Sequence, residues 1–183
     1  GQVPAGLEPV QARGGNLYFR TRAGAEGLFS KTNPRNTAWA KTTFYAPKAG
    51  TMYAMVGFDA PARSTRRCSG VPAAGEWSQC GTRIWVNGKE VKNPQTYKLA
   101  GQRRYEKHTW NSPDNEISFD NEEFWWARPP IPFQVKAGEN TILIEQPYTG
   151  NFQSWGVSFI PVKKSGDRWI ADPSYYLKNK GEK

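Results

Sequence analysis

The segment Thr82–Val91, TRIWVNGKEV, constrains the fold more than any other stretch of the chain. Asn87 and Gly88 suit a type I′ turn, because both central residues of that turn need a positive φ. Short runs rich in β-forming residues flank this dipeptide on both sides. We therefore predict a tight β-hairpin that turns at Asn87-Gly88.

Other stretches have the length and pattern of short strands separated by chain breaks. We predict further strands at Asn16–Ala23, Trp39–Pro47, Thr51–Ala60, Phe133–Lys136, Thr141–Gln146 and Gln153–Val162. Thr51–Ala60 is apolar on both faces, which is typical of a central strand. Ala137–Asn140 is predicted as the turn of a second hairpin. No stretch has a sustained 3.6-residue apolar period, so we expect no long helix.

Three prolines limit what the stretch ARPPIP can form. Pro129, Pro130 and Pro132 donate no backbone hydrogen bond, which excludes a central strand. Arg128 precedes a proline and is therefore pushed toward extended geometry. We predict a stiff crossing segment that leads the chain into the strand at Phe133.

The composition agrees with a chain of short strands and many turns. The 183 residues include 18 Gly, 14 Pro and 8 Trp. The predicted fold is all-β, an antiparallel β-sandwich of jelly-roll type. The sandwich core is expected over 38–162, with insertions at 61–81 and 92–120. Residues 1–37 are expected to be an N-terminal extension whose strand packs on the sandwich, and residues 163–183 a C-terminal tail.

The formal net charge of +9 favours an acidic partner or simply a basic soluble surface. Nucleic acid, an anionic glycan, a membrane surface and an acidic neighbouring domain all fit the charge alone. No apolar run approaches the ~20 residues of a membrane-spanning helix, so no membrane span is predicted. The stretch GQRRYEKHTW interleaves basic and aromatic residues, but no nucleic-acid-binding motif accompanies it, and nucleic acid is not the favoured partner.

Two cysteines, Cys68 and Cys80, lie at the ends of a short stretch rich in Gly, Pro and Ala. A disulfide between them would close this loop and imply an oxidising compartment. The alternative is two unrelated thiols in a reducing compartment. Two cysteines and one histidine do not complete a tetrahedral zinc site, so no metal is predicted.

The charged residues do not combine into a recognisable catalytic set. Glu122 and Glu123 are adjacent, and adjacent side chains of an extended segment point in opposite directions, which rules them out as a glycosidase pair. His108 is the single histidine and lies among basic residues, with no nucleophile elbow elsewhere. There is no P-loop or dinucleotide fingerprint. The chain by itself is predicted not to be an enzyme.

Aromatic residues in the predicted loops are the strongest functional signal. Flat indoles bury the apolar faces of sugar rings, and neighbouring polar groups bind the hydroxyls. The predicted ligand-binding residues are Trp77, Trp110, Glu123, Trp125, Trp126, Arg128, Tyr148 and Asn151. Packing beneath a long loop is an equal alternative for any one of these tryptophans. On an extended segment, one of Trp125 and Trp126 should face the core and the other the solvent. The strand residues Trp39, Trp85 and Trp155 are expected in the core.

The order of three segments is similar to a known family of domains. AKTTFYAPKAGTMYAMVGFD, IWVNGKEV and NEEFWWARPPIPFQVKAGENTILIEQPYTGNFQSWGVSFIPV together resemble the C-terminal β-sandwich that follows the catalytic barrel in Bacteroidetes glycosidases. The nearest resemblance is to the family 20 β-N-acetylhexosaminidases. The hairpins VNGKEV and KAGENTILIE also resemble those of galactose-binding-like jelly rolls. The catalytic barrel of family 20 uses an Asp-Glu pair, and this chain contains no Asp-Glu dipeptide.

The resemblance implies an extracytoplasmic location, periplasmic or on the cell surface. It implies an accessory module of a secreted glycoside hydrolase that binds glycan or packs against its own catalytic domain. The alternative is a protein-interaction or scaffolding domain with an acidic partner. Many galactose-binding-like modules hold a structural calcium ion, but no Asp-rich loop supports one here, so no cofactor is predicted.

Overall fold

The fold consists of β-strands joined by turns and longer connections. A computed structural model describes residues 1–12, 14–20, 28, 37–59, 73–78, 81–95, 130–147 and 155–177. The strands found there are β1 (Asn16–Arg20), β2 (Thr37–Ala46), β3 (Gly50–Asp59), β4 (Arg83–Val86), β5 (Lys89–Val91), β6 (Ile131–Val135), β7 (Gly138–Pro147), β8 (Trp155–Ser165), β9 (Arg168–Ala171) and β10 (Tyr176–Leu177). The described residues contain no helix, and the all-β prediction is confirmed.

The strands form two antiparallel sheets that pack as a β-sandwich. Sheet A has the order β1-β8-β3-β6, and β9 pairs with β8. Sheet B has the order β10-β2-β7-β4-β5. Every strand pair is antiparallel, so each strand alternates between a face toward the other sheet and an outer face.

The core between the sheets is built from these alternate positions. Met52, Ala54, Val56 and Phe58 of β3 all face it. The largest fully buried apolar side chains are Phe44, Phe58, Phe133, Met52, Met55, Ile84, Ile131 and Ile142. Fully burying a side chain of this size stabilises the fold by about 1.5–3 kcal/mol. The core therefore joins residues that lie far apart in the sequence.

Strand β3 is central in sheet A, as its apolar sequence predicts, and is buried on both faces from Ala54 to Phe58, while Thr51 and Tyr53 are exposed. On the outer face, Met55 packs with Ile160 and Val162 of β8 in a second, smaller cluster. Trp169 and Ala171 of β9 pack against this cluster. Strand β9 therefore contributes side chains to the apolar cluster on the outer face of sheet A, although the sequence predicts a C-terminal tail there.

The turn at Asn87-Gly88 is confirmed, and hydrogen bonds connect it to the turn that joins β6 to β7. Asn87 has a φ of 51° and Gly88 a φ of 81°. The Asn87 side chain donates to Asn140 Oδ1 at 2.9 Å and accepts from the backbone N–H of Thr141 at 2.9 Å. Asn140 is fully buried and donates to the backbone oxygen of Lys136 at 2.8 Å. These amides replace the hydrogen bonds that water would make, so both turns are held as one unit.

The second predicted hairpin is wrong, because β6 lies in sheet A and β7 in sheet B, so the chain crosses between the sheets there and the two strands do not pair. The chain also turns earlier than predicted. The sequence predicts a turn over Ala137–Asn140, but β7 begins at Gly138, and Asn140 already lies within that strand. The Asn140 side chain also accepts from the backbone N–H of Lys136 at 3.1 Å. Because this one amide bonds both polar backbone groups of Lys136, the chain reverses before it reaches Asn140.

The proline-containing stretch enters sheet A at its edge, where a residue without a backbone N–H can be accommodated. Pro132 lies in β6 and is in register with Tyr53 of β3. Strand β6 is an edge strand of sheet A, so one side of it needs no ladder hydrogen bond. The prediction that ARPPIP is not part of a central strand is confirmed for its described residues, 130–132. Arg128 and Pro129 lie outside the described residues.

The sheets extend beyond Val162, where the predicted sandwich core ends. Strand β8 continues to Ser165, and a turn at Gly166 and Asp167 leads into β9. Strand β10 then pairs with β2, with Tyr176 opposite Tyr45. Tyr175 packs edge-on against Phe44, with their ring centroids 6.1 Å apart. Residues 163–165, 168–171 and 176–177 therefore belong to the sheets.

Candidate ligand-binding site

The long connections of the chain all join strand ends at one end of the sandwich. Antiparallel pairing places the end of β1 beside the start of β8, and the end of β7 beside the starts of β2 and β4. The short turns β2–β3, β4–β5, β6–β7 and β8–β9 lie at the opposite end. Functional residues are often carried by loops on a rigid scaffold, so the end with the long connections is the first candidate region.

Most of the predicted ligand-binding residues belong to these long connections. The residues Trp110, Glu123, Trp125, Trp126, Arg128, Tyr148 and Asn151 lie outside the described residues. So do Cys68 and Cys80, and the predicted disulfide stays a prediction. The side chain of the strand residue Trp155 is likewise outside the described set, and Val157 and Phe159 of the same strand lie in the core.

Trp77 is the predicted ligand residue that the structure places, and it lies in the core. Its side chain is 4% exposed and stacks on Phe133 with the ring centroids 5.8 Å apart and an interplanar angle of 5°. Its indole Nε1 donates to the backbone oxygen of Val91 at 2.7 Å. One face and the polar atom of this ring are thus occupied by the protein. The expectation of a ligand platform at Trp77 is corrected to a core role.

A buried polar chain next to Trp77 anchors the same region to sheet B. The hydroxyls of Ser78 and Thr82 are 2.7 Å apart, and Thr82 Oγ1 donates to Gln146 Oε1 at 2.5 Å. All three residues are buried. Asn93 Nδ2 donates to the backbone oxygen of Glu76 at 3.1 Å, which ties the two sides of the connection together. These groups are satisfied inside the protein, so they position the region and do not present a ligand surface.

The outer face of sheet B carries a pair of tryptophans that the sequence interpretation assigned to the core. Ile84 and Val86 face the core, so Trp85 between them points outward. Trp39 lies on the same outer face, and the Trp39 and Trp85 rings stack with centroids 6.0 Å apart and an interplanar angle of 24°. Trp85 is buried, as expected, but on the outer face of the sheet, whereas Trp39 is only half-buried and the core assignment is wrong for it. The sequence RIWV could have predicted this orientation. Side chains alternate along a strand, so a tryptophan between two core residues, Ile84 and Val86, must point to the outer face.

Charged side chains surround this tryptophan pair. The Arg83 guanidinium lies 4.6 Å from the centre of the Trp85 ring, within the range of a cation–π contact. Arg83 donates to both carboxylate oxygens of Glu90, at 2.7 and 3.2 Å. Glu145 Oε2 is 3.6 Å from the same guanidinium. We call Trp39, Arg83, Trp85, Glu90 and Glu145 the outer patch.

The electrostatics of the outer patch favour the charged form of Glu90. The pKa of Glu90 is lowered to about 2, chiefly by the hydrogen bonds from Arg83 and to a smaller extent by Lys92 at 3.4 Å. The same hydrogen bond raises the pKa of Arg83 above its usual value. Glu145 Oε2 is buried and accepts no hydrogen bond from the described residues. The patch thus offers flat apolar rings beside fixed charges and one unused acceptor.

The N-terminal residue covers part of the outer patch. A Cβ atom added to Gly1 would overlap the indole ring of Trp85, so only glycine fits at this distance. The Gly1 nitrogen donates to the backbone oxygen of Gly88 at 3.5 Å. Trp85 is 4% exposed in this arrangement, whereas Trp39 is half-buried. The accessible part of the platform is therefore the Trp39 side.

A second aromatic pair lies on the outer face of sheet A. Tyr53 and Trp169 have ring centroids 5.1 Å apart, and Lys164 Nζ lies 5.0 Å from the centre of the Trp169 ring. Tyr53 is 41% exposed. The rings are tilted by 45° and lie over the small apolar cluster of β8. This pair covers that cluster and provides a matched comparison for the outer patch.

A small opening between the sheets does not serve as a ligand pocket. Its volume is about 50 Å³, and Gly14, Gly15 and Leu17 form one wall opposite Ala40 and Thr42. Sites for small molecules and cofactors occupy roughly 300–1,000 Å³. The outer patch is therefore the better candidate among the described residues.

Comparisons with protein-family models, with curated proteins and with solved structures find no match. Within the described ranges, no group of three or more His, Cys, Asp or Glu residues is arranged to hold a metal ion. The same residues include no helix long and apolar enough to cross a membrane. The functional proposal therefore rests on the chemistry of the outer patch and on the placement of the long connections.

Proposed function

We propose that this chain is a non-catalytic, carbohydrate-associated β-sandwich module. The observation that carries the proposal is the stacked Trp39–Trp85 pair on the outer face of sheet B. Indole rings bury the apolar C–H face of a sugar, and the neighbouring Arg83 and Glu145 offer a donor and an acceptor for hydroxyl groups. A flat sheet face suits a chain of sugar rings better than it suits a small enclosed ligand.

The strand order supports a jelly-roll version of the sandwich. A jelly roll has eight strands in two sheets that arise from two Greek keys. The orders β1-β8-β3-β6 and β2-β7-β4-β5 fit that description, with β9 and β10 added at the sides. In this proposal the long connections at one end form a second face for recognition, which carries the predicted residues Trp125, Trp126 and Arg128.

The cellular context is proposed from the sequence resemblance alone. We propose an extracytoplasmic module of a secreted glycoside hydrolase that binds glycan or packs against its own catalytic domain. The outer patch favours glycan, because it combines ring surfaces with polar groups that tolerate water.

A protein-interaction role with an acidic partner is the second candidate. The observation that favours it is the net charge of +9, together with Lys163, Lys164 and Arg168 exposed on the β8–β9 hairpin. Binding of this kind weakens strongly as salt is added, because exposed charges are screened over about 8–10 Å at physiological ionic strength. Trp39→Ala would leave such binding unchanged.

The test is titration of the intact chain with a panel of neutral and anionic oligosaccharides, by calorimetry. We expect binding to at least one neutral oligosaccharide and about tenfold weaker binding for Trp39→Ala, which corresponds to the loss of roughly 1.4 kcal/mol. Trp169→Ala is the matched control, since it removes an indole from the outer face of the other sheet. Circular dichroism establishes that each variant is folded.

Two results would reject the proposal in its present form. If no oligosaccharide in the panel binds, the carbohydrate role fails and the acidic-partner role is tested next. If binding occurs but is lost in Trp125→Ala or Trp126→Ala and not in Trp39→Ala, the ligand site lies on the long connections and not on the outer patch.

A further inference from the structure

We infer that Asn87 is a modification site: the Asn140 side chain holds its deamidation in check, and deamidation disconnects the β4–β5 turn from the turn between β6 and β7. Asn87-Gly88 is the single Asn-Gly dipeptide of the chain, and both residues are exposed. Glycine has no side chain, so its backbone nitrogen can approach the preceding carboxamide more closely than that of any other residue. Asparagine is among the thermolabile residues of proteins, and this turn combines it with the most permissive neighbour.

The reaction consumes water and needs no other reactant. The backbone nitrogen of Gly88 forms a bond to Cγ of Asn87, and the bond from Cγ to Nδ2 breaks. Ammonia leaves with the proton that the Gly88 nitrogen gives up, and a cyclic imide remains. Water then adds to one of the two carbonyl carbons of the imide and opens the ring. Opening at Cγ yields aspartate, whereas opening at the backbone carbon yields isoaspartate, in which the chain runs through the side chain.

Two hydrogen bonds hold the Asn87 carboxamide in place. Its Nδ2 donates to Asn140 Oδ1 at 2.9 Å, and its Oδ1 accepts from the backbone N–H of Thr141 at 2.9 Å. The backbone N–H of Asn87 also donates to the Thr141 oxygen at 2.8 Å. The carboxamide must turn toward the Gly88 nitrogen before a bond can form, and this rotation breaks both side-chain hydrogen bonds. The rate of deamidation therefore follows the population of the opened turn.

Asn140 cannot reorient to suit a changed residue 87, because backbone groups fix its own amide. Asn140 is fully buried, and its Nδ2 donates to the backbone oxygens of Lys136 and Gly138 at 2.8 and 3.0 Å. Its Oδ1 accepts from the backbone N–H of Lys136 at 3.1 Å. A flip of this amide would place its oxygen against two carbonyls and its NH₂ group against an N–H. Asn140 therefore presents an acceptor to residue 87 whatever that residue is.

Deamidation replaces the donor at this contact with a second acceptor. An ionised carboxylate at position 87 has no N–H, so it cannot donate to Asn140 Oδ1. The two oxygens repel each other, and the buried Asn140 loses a hydrogen bond. Isoaspartate also adds one atom to the backbone of the turn, so Val86 and Lys89 cannot keep their present pairing. The modification thus removes the hydrogen bond through which the two turns are connected.

The experiment measures conversion at Asn87 by peptide mapping and mass spectrometry. The intact chain is incubated in a mildly alkaline buffer, with and without urea at a concentration that unfolds it. Asn140→Ser removes the acceptor that holds Asn87, while a serine hydroxyl can still bond to the nearby backbone. Gln146→Ser is the matched control, because it removes another buried amide near the opposite end of β7. Circular dichroism establishes that each variant is folded.

We expect Asn87 to convert about tenfold or more slowly in the folded wild type than in urea, because hydrogen bonds of this kind shift the opening equilibrium by about that factor. Asn140→Ser should raise the rate in the folded chain by about tenfold, and Gln146→Ser should leave it unchanged. Equal rates in the folded and unfolded wild type overturn the inference. So does an unchanged rate in Asn140→Ser, or an equal acceleration in both serine variants, because protection would then come from overall stability.

A measurement on the wild type tests the hold even if Asn140→Ser does not fold. The carboxamide protons of Asn87, followed by NMR, should exchange with solvent about tenfold more slowly than those of the exposed Gln11. Equal exchange rates for the two side chains would show that Asn140 does not hold Asn87, and would overturn the inference.

Asn87→Asp imitates the product and tests the consequence of the modification. The repulsion from Asn140 Oδ1 exists only while the carboxyl group is ionised, since a protonated carboxyl can donate to that oxygen. The variant should therefore unfold at a lower urea concentration than the wild type at neutral pH, and the difference should shrink in acid. A variant as stable as the wild type at neutral pH would overturn the predicted disconnection of the two turns.

Discussion

Trp77 and Trp85 have the same 4% exposure, yet they belong to two different regions of the molecule. Trp77 lies between the sheets, stacked on Phe133 of sheet A and hydrogen-bonded to Val91 of sheet B. Trp85 lies outside the sandwich, covered by Trp39, Arg83 and Gly1. The first ring is enclosed by both sheets, whereas the second is enclosed partly by a terminal residue.

The difference shows that fractional exposure by itself does not separate a tryptophan between the sheets from one on an outer face. What matters is whether the covering groups are themselves held by the fold. Phe133 is fully buried and fixed in β6, so Trp77 cannot be uncovered without opening the sandwich. The groups that cover Trp85, namely Trp39, Arg83 and Gly1, all lie on the outer face of sheet B and not between the sheets.

Of the variants that compare the two tryptophans, Trp77→Ala should lose the most stability. Trp77→Ala removes a ring enclosed by both sheets and leaves a cavity that the packed core cannot close, so we expect a loss of about 3–5 kcal/mol in the free energy of unfolding. Urea denaturation followed by circular dichroism measures it. Trp77→Phe keeps an apolar ring and should cost less, mainly the hydrogen bond to Val91, about 1–2 kcal/mol. A loss below about 1 kcal/mol for Trp77→Ala would contradict the assignment of this ring to the core.

A smaller effect is expected at Trp85. Trp85→Ala removes apolar contact area from an outer face, where solvent and side chains can fill the space, so the loss should be about 1–2 kcal/mol. The same urea titration measures it beside Trp77→Ala. Equal losses for the two variants would remove the distinction between the regions and make Trp85 a structural residue.

The smallest effect concerns the charged rim of the outer patch. The pKa of Glu90 falls to about 2 through its hydrogen bonds with Arg83, below the ordinary value of 4.5. A lowered pKa in the folded state gives stability that is complete above pH 4.5 and is lost as the pH falls from 4.5 toward 2. In Glu90→Gln, the free energy of unfolding should therefore fall slightly less than in the wild type as the pH is lowered from 4.5 to 2.

Denaturation midpoints at several pH values between 2 and 5 measure this effect, and an NMR titration of the Glu90 carboxylate measures the pKa directly. Glu8→Gln is the control, because Glu8 lies in the exposed segment 1–12. The Arg83–Glu90 pair is exposed to solvent, so added salt should reduce the effect. A Glu90 pKa near 4.5 would contradict the bidentate contact.

Local sequence signals predicted the strands and the tight turn well. Asn87-Gly88 predicted its turn because the dipeptide selects positive φ without help from the rest of the chain. Pro132 excluded a central strand because proline cannot donate to a second neighbour, although the predicted crossing segment is already strand β6 from Ile131 onward. Thr51–Ala60 predicted a central strand because both of its faces are apolar. Each of these signals acts within a few residues.

The errors arose where partners come from distant parts of the sequence. Trp77 was assigned to a ligand loop because its partners, Phe133 and Val91, are supplied by other strands. The segment 163–177 was assigned to a tail, although Trp169 and Ala171 pack on the β8 cluster. The turn at Ala137–Asn140 was placed too late because the side chain of Asn140 bonds back to Lys136 and across to Asn87.

The sequence by itself determined that this protein is an all-β chain, where it turns, and which strand positions alternate. These properties follow from backbone sterics and side-chain periodicity, which operate locally. Tertiary structure alone decided which of the aromatic residues are enclosed, which end of the sandwich carries the long connections, and that Gly1 lies on Trp85. Those outcomes depend on how two sheets and a terminal segment meet, because burial is a property of the whole surface and not of any one strand.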